Sequence, residues 1–180
     1  MTQTDVIVSG LSRRCDNGWL RLGHQIWPCA LGRAGRGYFK REGDGITPIG
    51  RWPIRQVLFR ADRRQPMAHP PMPGIRPVRA SDGWCDAAGD RNYNRHVRHP
   101  YGASAEQLWR DDHLYDVIVV LGHNQRPRKQ GGGSAIFLHV AEAKPDGTLK
   151  PTAGCVALRA RDLQTVLHKI SAGSHLRIVG

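Results

Sequence analysis

His139 closes the apolar run Ile136-Phe137-Leu138, and Cys155 opens another, Val156-Ala157-Leu158, directly after Gly154. A thiol with an imidazole in reach can carry out nucleophilic acyl chemistry. A free cysteine has a pKa of about 8.5 and only its thiolate attacks, so an imidazole that removes the proton activates it. Glycine before the nucleophile leaves out a side chain that would block an approaching carbonyl. The backbone N–H groups of Ala153, Gly154 and Cys155 are then candidates for an oxyanion hole. The segment 141–150 between the two runs is polar and holds an Asp146-Gly147 turn, so the runs are expected to be neighbouring strands that bring His139 and Cys155 together. A cysteine in an apolar strand is more commonly a buried packing residue, so the pair alone leaves both readings open.

Other chemistry-bearing residues lie upstream. The stretch 81–101 is dense in polar and aromatic groups, among them Trp84, Asp86, Arg91, Asn92, Tyr93, Asn94, His96 and His99. It suits either a substrate cleft or a surface excursion. Gly122-His123-Asn124 follows an apolar run and falls near the expected site. His96-x-x-His99 could be a metal-ligand pair, but Pro100 argues against a helix presenting both rings and the HExxH pattern is absent. No metal and no cofactor is expected. His24, His69, His113, His168 and His175 stand alone, Trp19, Trp27 and Trp52 suit strand packing, and Cys85 beside Trp84 reads as a packing residue.

The elements that must position these groups are mainly β. Residues 5–9, 18–22, 25–30 and 52–59 are short alternating or apolar runs broken by Gly, Asn and Pro. Residues 114–121, 135–139, 156–158 and 175–179 read as further strands, and Val117-Ile118-Val119-Val120 is apolar on both faces, as in a central buried strand. Leu163, Val166, Leu167 and Ile170 recur at helical spacing and predict a helix over 161–170. Ser104 and Gln107 fit a capping box and predict a second short helix ending at Arg110. Pro66, Pro70, Pro71, Pro73 and Pro77 rule out regular structure there, so 61–100 reads as a long ordered loop inserted in one domain spanning 1–180.

Composition narrows the function classes. The 180 residues, 39% hydrophobic, suffice for one core, and 21 Gly with 12 Pro imply many turns. The net charge of +12 attracts anionic partners. Yet the cations are dispersed, no Lys/Arg run exceeds two residues, and no nucleic-acid-binding signature appears, so no nucleic-acid partner is expected. A carboxylate-rich polymer suits the charge equally well. No apolar run is long enough to span a membrane, and residues 1–8 do not read as a signal peptide. Cys15, Cys29, Cys85 and Cys155 form no CxxC pair. Mostly free thiols are expected, with a Cys15–Cys29 bond left open.

Together these residues resemble the L,D-transpeptidase catalytic domain, the YkuD family, which carries a His, a loop, and then Ser/Thr-His-Gly-Cys before an apolar residue. His139 matches the upstream His, Thr152 the Ser/Thr, Gly154 the Gly and Cys155 the nucleophile. Gly45-Ile46-Thr47-Pro48-Ile49-Gly50 is similar to the family's Thr-Pro-x-Gly turn. The chain departs from the pattern at Ala153, where a second His is usual, at Ala157, near a usual Arg or Asn, and in its Pro-rich insertion. The resemblance implies a β-sandwich or barrel and a Cys155 thioester. It also implies peptidoglycan stem peptides of the diaminopimelate type as substrates, a periplasmic setting and carbapenems as covalent inhibitors. Substrate contacts are expected from His123, Asn124, Thr152, Arg91, Tyr93, Asn94 and Trp84. An L,D-carboxypeptidase or endopeptidase on the same scaffold, and a non-catalytic basic module for cell wall or nucleic acid, are the alternatives.

Overall fold

A computed structural model describes residues 5–63 and 74–180. The start of the chain and most of the proline-rich stretch, His69 included, lie outside the described residues. The strands are β1 Asp5–Ser9, β2 Asn17–Leu22, β3 Gln25–Ala30, β4 Arg36–Gly37, β5 Thr47–Pro48, β6 Gly50–Phe59, β7 Ile75–Pro77, β8 Asp82–Cys85, β9 His96–Arg98, β10 Ala105–Gln107, β11 Val117–Leu121, β12 Phe137–Val140, β13 Val156–Leu158 and β14 His175–Ile178, with one helix, α1 Ala160–Leu167. The mainly β class expected from the sequence is what the chain adopts.

The large sheet runs β11-β12-β13-β3-β2-β1-β14-β6-β7, and β11 also pairs with β6, so the sheet closes on itself with β7 outside the ring. Closure follows from the length of β6: its first residues pair with β14 and its last with β11. Strand β1 alternates buried with partly buried positions and β2 buried with exposed ones, as one-sided strands must. Strands β11, β12 and β13 are buried at every position. Their alternate side chains enter two different cores. Val117, Val119, Leu121, Leu138, Val140, Val156 and Leu158 join the interior, which α1 completes with Leu163, Val166 and Leu167. Ile118, Val120, Phe137 and Cys155 face outward into a second core with Leu58, Trp84, Leu108 and Tyr115.

That second core exists because residues 74–109 are not simply a loop. Strands β10, β8 and β9 form a small antiparallel sheet, with Glu106 opposite Trp84 and Gly83 opposite Val97, and Trp84 and Leu108 lie in the core beneath it. The short helix expected after Ser104 is strand β10 instead. Pairing with β8 supplies its backbone partners, and the capping pattern is overridden by tertiary contacts.

Candidate active site

Parallel pairing sets Leu138 opposite Val156 and His139 opposite Ala157. Carrying the register back one residue puts Cys155 level with Phe137. Side chains alternate across a strand, so Phe137, His139, Cys155 and Ala157 all project to the outer face. His139 and Cys155 are thus diagonal neighbours, roughly 7–8 Å apart at Cα by strand geometry. Both line one cavity of about 510 Å³, with Lys40, Glu106, Arg110, Tyr115, Ala135 and the turn 151–154.

The turn before the nucleophile is held by two threonines. Thr152 Oγ1 donates to the Cys155 carbonyl at 2.7 Å and accepts the Gly154 N–H at 3.1 Å. Thr47 Oγ1 donates to the same carbonyl at 3.4 Å and accepts the Gly32 N–H at 2.7 Å. Thr47 belongs to the Thr-Pro-x-Gly turn, so that motif supports the nucleophile's backbone from the small β4–β5 sheet. Gly154 has φ +142, and a Cβ there would lie 2.9 Å from the Ile46 carbonyl oxygen. Glycine is therefore required both for its conformation and for the close approach. Of the three N–H groups expected to bind an oxyanion, that of Gly154 is engaged by Thr152.

The thiol is not bonded to the imidazole in this state. Cys155 Sγ donates to the Ala135 carbonyl at 3.2 Å and accepts the Phe137 N–H at 3.4 Å. His139 Nδ1 lies 2.8 Å from the Val140 carbonyl oxygen. A carbonyl can only accept, so Nδ1 carries the proton and Nε2 keeps the lone pair of a base. The Tyr115 ring stands edge-on to His139, centroids 5.3 Å apart. Burial pushes the Cys155 thiol up to about 12, assisted by the charge of Glu106. Burial pulls the His139 imidazole down to about 4, against the Val140 carbonyl, which favours the charged form. The pair therefore rests as neutral thiol and neutral imidazole.

The other expected site residues divide. Thr152, Ala153 and Gly154 line the cavity with Cys155 and His139. His123 and Asn124 line a second cavity of about 690 Å³, with Tyr38, Phe39 and Trp52, that shares Lys40 and Glu42 with the first. Trp84, Tyr93 and Asn94 are buried scaffold. Asn94 Oδ1 accepts from Trp84 Nε1 at 2.9 Å and from the Ala135 N–H at 3.2 Å, and Asn94 Nδ2 donates to the His123 and Asn124 carbonyls. Tyr93 donates its hydroxyl proton to Glu42. Arg91 is exposed and lines neither cavity. His96 bonds Asp82 at 2.8 Å, and all four cysteines are free thiols. Sequence reasoning passed over Glu106, Tyr115, Lys40 and Arg110, because none stands in a motif and the first falls in the misread helix.

The family model for the L,D-transpeptidase catalytic domain, YkuD, matches residues 6–178. No curated protein and no solved structure matches the chain.

Proposed function

We propose, on the premise that this chain belongs to the YkuD family of L,D-transpeptidase catalytic domains, that it crosslinks peptidoglycan stem peptides through a thioester on Cys155. The observation that carries this reading is the convergence of Cys155, an Nδ1-protonated His139 and the Gly154 turn on one cavity. In the reaction, His139 Nε2 takes the Sγ proton as the sulfur attacks the carbonyl that follows the L-centre of diaminopimelate in a tetrapeptide stem. The oxyanion is met by the backbone N–H groups of Ala153 and Cys155, that of Gly154 being engaged by Thr152. The intermediate collapses, and the terminal D-Ala leaves with the proton from His139. The amine of a neighbouring stem then attacks the thioester, loses its proton to His139, and returns the thiol. A neutral resting pair suits this sequence, because the thiolate forms only when a carbonyl is present to receive it. A peptidoglycan substrate would be met in the periplasm, which is the setting we propose, and a carbapenem acylating Cys155 fits the same chemistry.

The test is incubation of wild type and Cys155→Ala with diaminopimelate-type disaccharide-tetrapeptides, read by mass spectrometry. The expected product is a dimer lacking one D-Ala, made by wild type alone, with fragmentation distinguishing 3→3 from 1→3 links. Tripeptide without dimer replaces the transferase by an L,D-carboxypeptidase. Product formation by Cys155→Ala, or none by wild type with any stem, overturns the reading. A carbapenem is expected to add its mass to wild type and not to Cys155→Ala.

A further inference from the structure

Lys40 lines the cavity beside Cys155, yet its side chain is only 4% exposed. Two glycines make room for it. A Cβ on Gly133 would lie 2.6 Å from Lys40 Cγ, and one on Gly154 would lie 3.4 Å from Lys40 Nζ. The stem thus passes Gly133, and the ammonium ends beside the residue that precedes the nucleophile. There it is bonded to the Asp44 carboxylate and donates to the Arg41 carbonyl at 2.9 Å. An ammonium has three N–H donors, so one is left without a partner among the described residues. The Asp44 carboxylate is itself shared, since it also accepts the N–H groups of Arg41 at 2.7 Å and Ile46 at 2.9 Å. A buried ion pair adds little to stability, and often less than apolar side chains of the same size, so packing gives no reason for a charge at this point. The turn before Cys155 does give one. Of its three N–H groups, that of Gly154 is taken by Thr152, which leaves the oxyanion one donor short. Ala153 offers no side-chain donor to replace it.

We propose that Lys40 is a further catalytic residue, whose ammonium donates its remaining N–H to the oxyanion formed when Cys155 attacks a carbonyl. The proposal rests on the acyl-transfer reading above and adds a charged donor to its oxyanion site. As Sγ bonds to the carbonyl carbon, the π pair moves onto the oxygen, and the Lys40 N–H meets it beside those of Ala153 and Cys155. Lys40 keeps its proton throughout. When the intermediate collapses, the pair returns to the carbonyl and the leaving group departs with the proton from His139. A hydrogen bond from a charged donor is the stronger kind. In a site closed to water it gains more against an anionic oxygen than against a neutral carbonyl, so it lowers the barrier rather than only binding the substrate. The Lys40 charge also favours the Cys155 thiolate, but only as a small influence beside burial. Its main effect therefore falls on the intermediate and not on the supply of thiolate.

The experiment sets two kinds of reaction at Cys155 against each other, in wild type and in Lys40→Met, which keeps an unbranched stem and removes the charge. Acylation, by the tetrapeptide stem or by S-benzyl thioacetate, passes through an anionic tetrahedral intermediate. Alkylation by iodoacetamide does not, and reports only the supply of thiolate. Each is followed on the Cys155 peptide by mass spectrometry. Lys40→Met is expected to slow acylation by either donor about 100-fold, as loss of one oxyanion donor does, and to slow alkylation by less than about threefold. Equal slowing of acylation and alkylation, or acylation at the wild-type rate, overturns the proposal and leaves the transpeptidase reading standing. If wild type is acylated by the thioester and not by the stem, that reading falls, and the comparison of thioester with iodoacetamide decides Lys40 by itself. A wild type that iodoacetamide alkylates and neither acyl donor acylates overturns both. Lys40→Met combined with Asp44→Asn removes the carboxylate that the single variant strands, and it takes that variant's place, with the same outcomes, should the single variant not fold.

Discussion

His139 is the most exacting test of how this site is built, because its state shows in the stability of the whole fold. In an unfolded chain its imidazole titrates near 6.5, whereas burial in the cavity wall lowers it to about 4. Between those values the unfolded chain binds the proton and the folded protein does not, so stability rises with pH there. The penalty is absent above about pH 6.5, grows as the pH falls, and is complete below about pH 4. At about 1.4 kcal/mol per pH unit, the gap corresponds to about 3 kcal/mol in all, of which about 2 kcal/mol is lost between pH 7.5 and pH 5. Urea denaturation across that range measures it. His139→Gln keeps an N–H for the Val140 carbonyl but does not titrate, so its stability is expected to fall by about 2 kcal/mol less than that of wild type. His123, also lowered by burial, is present in both proteins and cancels in the comparison. Parallel curves for the two would refute the buried, neutral imidazole and with it the neutral resting pair.

Three further outcomes follow from the same geometry. With its thiol pushed up to about 12, Cys155 is expected to react with iodoacetamide at pH 7 about a thousandfold more slowly than a free cysteine. Peptide mapping should show the rate rising about tenfold per pH unit, and a plateau between pH 5 and 8 would instead reveal a preformed ion pair. Asn94→Leu strands the partners of Asn94 in Trp84, Ala135, His123 and Asn124 and is expected to cost about 4 kcal/mol in urea denaturation. Activity loss without destabilisation would return Asn94 to a substrate role. Gly154→Ala forces a Cβ to 2.9 Å from the Ile46 carbonyl oxygen at φ +142. It is expected to cost about 2 kcal/mol and to abolish acylation, and retention of full activity would show that the turn relaxes freely.

The ring of strands was readable because each of its elements carries its own signal. Strands β1 and β2 alternate, and β11 is apolar on both faces because two cores claim its side chains. That His139 and Cys155 lie near each other was readable because His139 ends one apolar run and Cys155 precedes another, and the two runs become the parallel neighbours β12 and β13. The small sheet was not, since β8, β9 and β10 are three or four residues long and their partners are distant in sequence. A Ser-x-x-Gln pattern outweighs a three-residue strand when only local signals are weighed. The place of Asn94 was hard to read for a related reason: a dense polar loop looks the same whether its side chains face a substrate or knit the loop to the barrel.

The excursion over 74–109 determines the chemistry of the nucleophile as much as the barrel does. Without β8 and β10, the outer face of β11, β12 and β13 would be open to water, and the Cys155 thiol and His139 imidazole would keep nearly ordinary pKa values. The cover removes water from both groups, which disfavours charge on either, and brings Glu106 and Tyr115 to the same face. Low dielectric also strengthens whatever charges remain, so the Glu106 carboxylate opposes the thiolate more strongly than it would in solvent. A site dried in this way reacts slowly with adventitious electrophiles until a substrate carbonyl enters it.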